Sequence, residues 1–164
     1  MQDTLPAELP AEQLAALLCA RLCHDLVSPV SALSAALSVF DDPDSSDMHD
    51  DAMELVRESS RQAQAKLEFC RLAFGAGGSA PGIMDCRELQ RLTEAMFSAV
   101  KPQIVWKVEA TGLEKQAARL LLNMCLLGVD AAPRGGTVTV EGADAAGGAR
   151  LRVISGGPRA RLDA

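Results

Sequence analysis

The chain of 164 residues has no tyrosine, one tryptophan and two histidines. Basic residues are in the minority: 16 Lys and Arg stand against 22 Asp and Glu, giving a formal net charge of -6 and a pI near 4.9. No basic stripe is available for nucleic acid or an anionic membrane, so neither is expected as a partner. The five cysteines are odd in number and form no CxxC pair, which fits a reducing compartment rather than a disulfide framework. The start, MQDTLPAELPAEQ, lacks the basic residues and apolar core of a signal peptide. No run approaches the roughly 20 apolar residues that span a bilayer. These absences predict a soluble, cytoplasmic protein, and a hydrophobic content of 48% is that of a globular chain rather than a disordered one.

Among what is present, Leu22-Cys23-His24-Asp25-Leu26-Val27-Ser28-Pro29 carries the most information. At about 100° per residue, Leu18, Leu22, Leu26, Leu33, Leu37 and Phe40 fall in one stripe of core-facing width. His24 lies opposite it, and Asp25 is expected beside it on the outward side. The helical neighbours of His24 are Ala20, Ser28, Ser31 and Leu17, with Ala35 and Ser38 further along. Small residues around an exposed imidazole leave room for a large partner. The helix pattern by itself is equally compatible with an idle surface histidine. Cys19 and Cys23 share a side that His24 does not, so no metal site is expected there.

The first helix is expected from about Pro10 to Phe40, with Pro29 in its interior to bend it. Asp41 to Asp47, rich in turn and N-cap residues, stops it as a solvated cap rather than a cation site. A second helix from about Met48 to Phe74 has a heptad-like seam of Met53, Val56, Ser60, Ala63, Leu67, Cys70 and Phe74. Two long helices on a short loop make an antiparallel hairpin that buries its seams by pairing with a second copy, which predicts a homodimer with a four-helix bundle. Gly75 to Gly82 reads as a flexible linker. The domains are therefore 1–76, a linker at 77–82, and 83–164. Beyond the linker, helices at Asp85 to Val100 and Leu113 to Ala131 are expected, with strands at Gln103 to Glu109, Thr137 to Glu141 and Ala149 to Ile154. They form a small α/β domain with helices on one face of a mixed or antiparallel sheet, and the fold class overall is α+β. Trp106 and Cys70 read as packing residues.

HDLVSP resembles the phosphoacceptor box of histidine kinases, in which an acidic residue and then a proline follow the histidine within a dimeric hairpin. LLLNMCLLGVDAAPRGGTVTV resembles the helix, loop and strand of the kinase ATP-binding (Bergerat) domain. Two departures stand out. Leu127 occupies the place of a second asparagine, one turn beyond Asn123, that holds the magnesium of ATP. Ser155 occupies the place of the aspartate that reads adenine. A phosphoryl donor site needs both contacts, so the resemblance implies a kinase-like fold that binds neither ATP nor another cofactor. A histidine hairpin joined to such a domain is the architecture of ChpT-type dimeric histidine phosphotransferases. LCARLCHDLVSPVSAL and KLEFCRLAFGAGGS both resemble that family, whose second domain usually continues beyond the place where this chain stops, at Arg161-Leu162-Asp163-Ala164.

The resemblance implies a phosphorelay enzyme, with His24 taking phosphate from the receiver domain of a hybrid histidine kinase. It would pass it to response regulators of the CtrA and CpdR kind, the receiver bringing the Mg2+. Asp25 would fix the tautomer of His24 or else be a surface charge. Arg21 would pair with Asp25, offset phosphoryl charge, or form a solvated helix pair. Ser28 would bond an incoming phosphoryl group or its own backbone. Val27, Ser31, Ala35 and Ser38 would meet an apolar receiver helix. Two other readings are compatible with the residues: a non-catalytic module that regulates a kinase or receiver, and an autophosphorylating histidine kinase.

Overall fold

The structure, a computed structural model, describes residues 9–75 and 81–161. Helix α1 spans Ala11–Phe40. Its side most removed from solvent runs along Asp25, Pro29 and Ala36, while Leu18, Leu22, Leu26, Leu33 and Phe40 are half-buried. Leu37 is exposed. The expected Leu stripe is thus only partly covered, because one packed helix shields a narrower seam than the apolar stripe provides. Pro29 lies within α1 and has no backbone N–H to donate to the carbonyl one turn before it. By composition α1 reaches a mean hydropathy of 1.3 over an 18-residue window, enough by length and composition for a membrane span. Arg21, His24 and Asp25 nevertheless interrupt it, so there is no unbroken apolar run.

A short 3-10 helix, Pro43–Met48, connects α1 to helix α2, His49–Ala73. The Asp-rich segment acts as the expected cap. Asp42 accepts from the Asp44 N–H at 3.1 Å and from the Ser45 hydroxyl at 2.7 Å. These bonds, the Ser45 hydroxyl foremost, hold its carboxyl below the usual range. The rings of Phe40 and His49 lie 4.9 Å apart across the turn. In α2 five of the seven expected seam positions are covered, Cys70 fully and Val56, Ser60, Ala63 and Phe74 in part. Ala52 and Ser59 are buried beside half-buried Val56 and Ala63, whereas Met53 and Leu67 are exposed. Small residues sit in the seam and larger ones are left outside it.

The chain divides into two compact units after Ala63, within α2. In the second unit the end of α2 is built into the core. Phe69, Cys70 and Ala73 are buried, and the Phe69 ring meets Phe97 edge-on at 5.6 Å. Most of the expected linker, residues 76–80, lies outside the described residues. Strand β1, Ile83–Asp85, leads into helix α3, Cys86–Met96, where the Asp85 carboxylate accepts from the Arg87 N–H at 2.7 Å as an N-cap. Then come β2, Pro102–Val108; β3, Gly112–Glu114; helix α4, Lys115–Asp130; β4, Gly136–Ala145; and β5, Gly148–Gly156.

Strands β1 and β3 pair antiparallel; each has three residues, too few for a period of two to register. The main sheet runs β2-β4-β5 and is mixed, with β2 parallel and β5 antiparallel to β4. Leu89, Leu92 and Met96 of α3, Leu121, Leu122 and Cys125 of α4, and Val138 and Val140 of β4 form the core. Trp106 is half-buried in β2, opposite Val140. Gly128 lets α4 approach the sheet. A β-carbon there would lie 2.7 Å from Val153 Cγ1 and 3.1 Å from Val138 Cγ1.

Candidate phosphoacceptor site

His24 and Asp25 are adjacent in sequence but diverge in exposure, since consecutive helical residues point about 100° apart. The His24 side chain is 81% exposed. Asp25 is 8% exposed, on the inner side of α1. This corrects the expectation of an outward carboxylate and removes the option of an idle surface charge. At about 100° per residue Asp25 falls close to Leu18 and Ala36 rather than to His24.

A buried carboxylate needs partners, and two neighbours on its own helix supply them. Arg21 donates its Nε–H to Asp25 Oδ2 at 2.8 Å, one turn away. Oδ1 lies 3.1 Å from His24 Nδ1. A carboxylate beside Nδ1 selects the tautomer with the proton there, leaving the Nε2 lone pair on the exposed side of the ring. The three residues thus form a chain from a half-buried guanidinium, through a buried carboxylate, to an exposed imidazole.

The remaining predicted residues share the exposed side. Ser28, Val27, Ser31, Ala35 and Ser38 are all exposed. Ser38 donates its hydroxyl to the Ala35 carbonyl at 2.7 Å, back along its own helix. Ser28 lies within about 40° of the azimuth of His24 and Ser31 within about 20°.

In the second unit, the positions that resemble a nucleotide site have other duties. Asn123 donates its side-chain amide to the Ala73 carbonyl at 2.9 Å and to the Arg119 carbonyl at 2.8 Å. Arg119 in turn reaches the Gly75 carbonyl at 3.3 Å. Together they satisfy carbonyls at the C-terminus of α2, which a helix leaves without partners. Ser155 donates its hydroxyl to the Gly128 carbonyl at 2.7 Å. Leu127 is 58% exposed. The turn at Gly135 and Gly136, with φ of 97° and 119°, packs backbone to backbone on Gly156 and Gly157; a side chain at Gly136 would run into the Gly156 carbonyl. A cavity of about 450 Å³ beside these residues is lined by Met124, Leu127, Gly128, Ala131, Val153, Ser155, Ala160 and Arg161. Among the described residues, none that lines it is acidic. The role of Asn123 at the end of α2 had no signal in the sequence, because its partner there, Ala73, lies 50 residues away.

Residues 86–164 match the family model described as histidine phosphotransferase C-terminal domain. Over 143 residues the chain is 42% identical to the protein phosphotransferase ChpT of Brucella abortus (strain 2308), an alignment covering 86% of this chain and 67% of that one. The fold is similar to a bacterial phosphotransferase solved at 1.7 Å. The TM-score is 0.79 and the identity 36%, over 98% of this chain and 75% of that one.

Proposed function

The chain belongs to the histidine phosphotransferase family, and from that premise we propose that it relays a phosphoryl group between receiver aspartates through a phosphohistidine at His24. The observation that carries this reading is an imidazole 81% exposed whose Nδ1 is held by a buried carboxylate at 3.1 Å.

The Nε2 lone pair attacks the phosphorus of an aspartyl phosphate in line. The N–P bond forms as the bond to the aspartyl oxygen breaks, and the carboxylate leaves with its electron pair. Positive charge gathers on the ring in the transition state, and Asp25 stabilises it through Nδ1–H. The phosphohistidine is itself a reactive donor, so the step runs in reverse onto a second receiver. Arg21 holds the carboxylate in place by its bond to Oδ2.

The face around His24 has little to offer a divalent cation. Asp25 is its nearest carboxylate, and both of its oxygens are engaged. Mg2+ is therefore expected to come with the receiver, where it supplies neutralisation of the transferring group. The diverted Asn123, the Ser155 bond to Gly128 and Leu127 in place of a metal ligand support a second domain that does not bind ATP.

A dimer fits the apolar surface that the hairpin leaves uncovered. Val30 and Leu37 on α1 and Met53 and Leu55 on α2 are exposed. Val30 and Leu37 lie more than about 100° around the helix from His24, so a homodimer with a four-helix bundle would cover them and leave His24 free. Such pairing also accounts for the apolarity of α1 without a membrane, and a cytoplasmic location follows from partners that are receiver domains. The upstream donor is the receiver of a hybrid histidine kinase. The acceptors are response regulators of the CtrA and CpdR kind, whose control of cell-cycle signalling the family resemblance implies.

Mixing the chain with a phosphorylated receiver should place an acid-labile, base-stable label on it, absent from His24→Ala. A label that survives that substitution, or one that forms from ATP alone, would overturn the proposal.

A further inference from the structure

Leu17 stands seven residues before His24, which puts it within about 20° of the same azimuth and about 10 Å away along the helix axis. It is 56% exposed. Leu14, one turn earlier, is exposed as well. Around them the face carries Ala20, Ser28, Ser31 and Ala35, and α1 has only Glu12 and Asp25 as acids and Arg21 as its base. Leu17 is the one large apolar side chain within about 40° of the azimuth of His24. It lies far from the Val30 and Leu37 side assigned to the dimer.

A single exposed leucine ordinarily requires no explanation. Here the reaction constrains what covers it. Transfer brings an aspartyl phosphate into contact with His24 Nε2, so the partner's surface is centred on that ring. An interface of standard size buries roughly 800 Å² on each side, a patch roughly 30 Å across. Leu17 therefore falls well inside any such footprint.

We infer that Leu17, with Leu14 at the rim, anchors the receiver by apolar contact on the N-terminal side of His24, and that the receiver presents an apolar patch beside its phosphorylated aspartate. The inference rests on the proposed function. It adds a contact on the side of His24 opposite to Val27, Ser31, Ala35 and Ser38. Leu17 touches no reacting atom, so it acts on docking and not on the chemical step.

The test compares two phosphoryl donors on the full chain and its Leu17→Ala and Leu17→Glu variants. One is a phosphorylated receiver. The other is phosphoramidate, a small donor whose P–N bond breaks with ammonia as the leaving group and which needs no docking surface. With the receiver, Leu17→Ala should raise KM about tenfold, as expected for an apolar anchor at an interface, with little change in kcat. Leu17→Glu should raise it further. The phosphoramidate rate of each variant serves as its own reference. An unmoved KM would overturn the inference, as would an equal loss with both donors, which marks a structural role. A shift of the Leu17 variants from dimer to monomer would also overturn it, by making a second copy the occupant. If the unaltered chain takes no label at His24 from either donor, the proposed function itself fails and the docking role of Leu17 falls with it.

Discussion

Asp25 Oδ1 lies 3.1 Å from His24 Nδ1, and the two side chains differ in exposure by 9% against 81%. The carboxylate is buried and held on both oxygens, while the ring it orients is open to a partner. Asp25→Asn keeps the shape but removes the charge that favours Nδ1–H. The expected outcome is a fall in phosphotransfer rate of between about tenfold and a hundredfold, in the range that mispositioning of a reacting group produces. Rapid-quench measurement of transfer from a phosphorylated receiver checks it, with KM nearly unchanged.

Arg21 is expected to matter for stability as well as rate. Its removal leaves a buried carboxylate short of the guanidinium that donates to Oδ2 at 2.8 Å. Arg21→Ala should cost about 1–3 kcal/mol, read as a lower urea midpoint. Arg21→Ala combined with Asp25→Asn should cost less than the sum of the two single changes, since the charge that needed a partner is gone.

Asn123 closes the carbonyl end of α2 through its bond to Ala73. Asn123→Ala leaves that carbonyl without the amide and should destabilise by about 1–2 kcal/mol. Backbone amides near the end of α2 should then exchange faster with deuterium. Phosphotransfer per folded molecule should be unchanged, which distinguishes a structural asparagine from a ligand of nucleotide and metal.

Gly128 is a point of close approach between α4 and the sheet. A β-carbon there meets Val153 Cγ1 at 2.7 Å and Ser155 Oγ at 3.1 Å. Gly128→Ala should therefore destabilise through overpacking by about 1–3 kcal/mol, despite the better helix propensity of alanine. Ser155→Ala, which only loses a hydroxyl bond to the Gly128 carbonyl, should cost about 1 kcal/mol. Thermal denaturation of both variants would reveal that order, and the reverse order would mean that α4 shifts to accommodate the methyl.

The elements of this fold are legible wherever an apolar period runs for several turns. Helix α1 begins within one residue of expectation, and β4 and β5 pair as their alternation predicts. The expected α2 seam fails at Met53 and Leu67, which have the size and apolarity of core residues but are exposed. Small Ala52 and Ser59 are buried instead. The burial of Asp25 is readable from its azimuth near Leu18, but its adjacency to His24 in sequence obscures it. Nothing local marks Asn123 as the partner of Ala73, because that bond exists only once α2 and α4 have packed.

Cys125 gives the fold a pH dependence with a definite sign. Burial pushes its thiol from 9.0 up to about 12, because a thiolate is poorly tolerated away from water. Burial, then the charges of Asp85 and Asp144, raises Cys86 in the same direction. Between pH 9 and pH 12 the folded chain keeps a proton at Cys125 that the unfolded chain releases, so folding stability declines as pH rises. This contribution is fully present below pH 9.0 and is lost as pH climbs towards about 12, with a slope of at most about 1.4 kcal/mol per pH unit for one group. Urea midpoints measured from pH 8 to pH 11 should fall, and they should fall less steeply in Cys125→Ala, whose lower starting stability reflects the small cavity left by the sulfur. An identical slope in that variant would mean that other groups govern the alkaline limb.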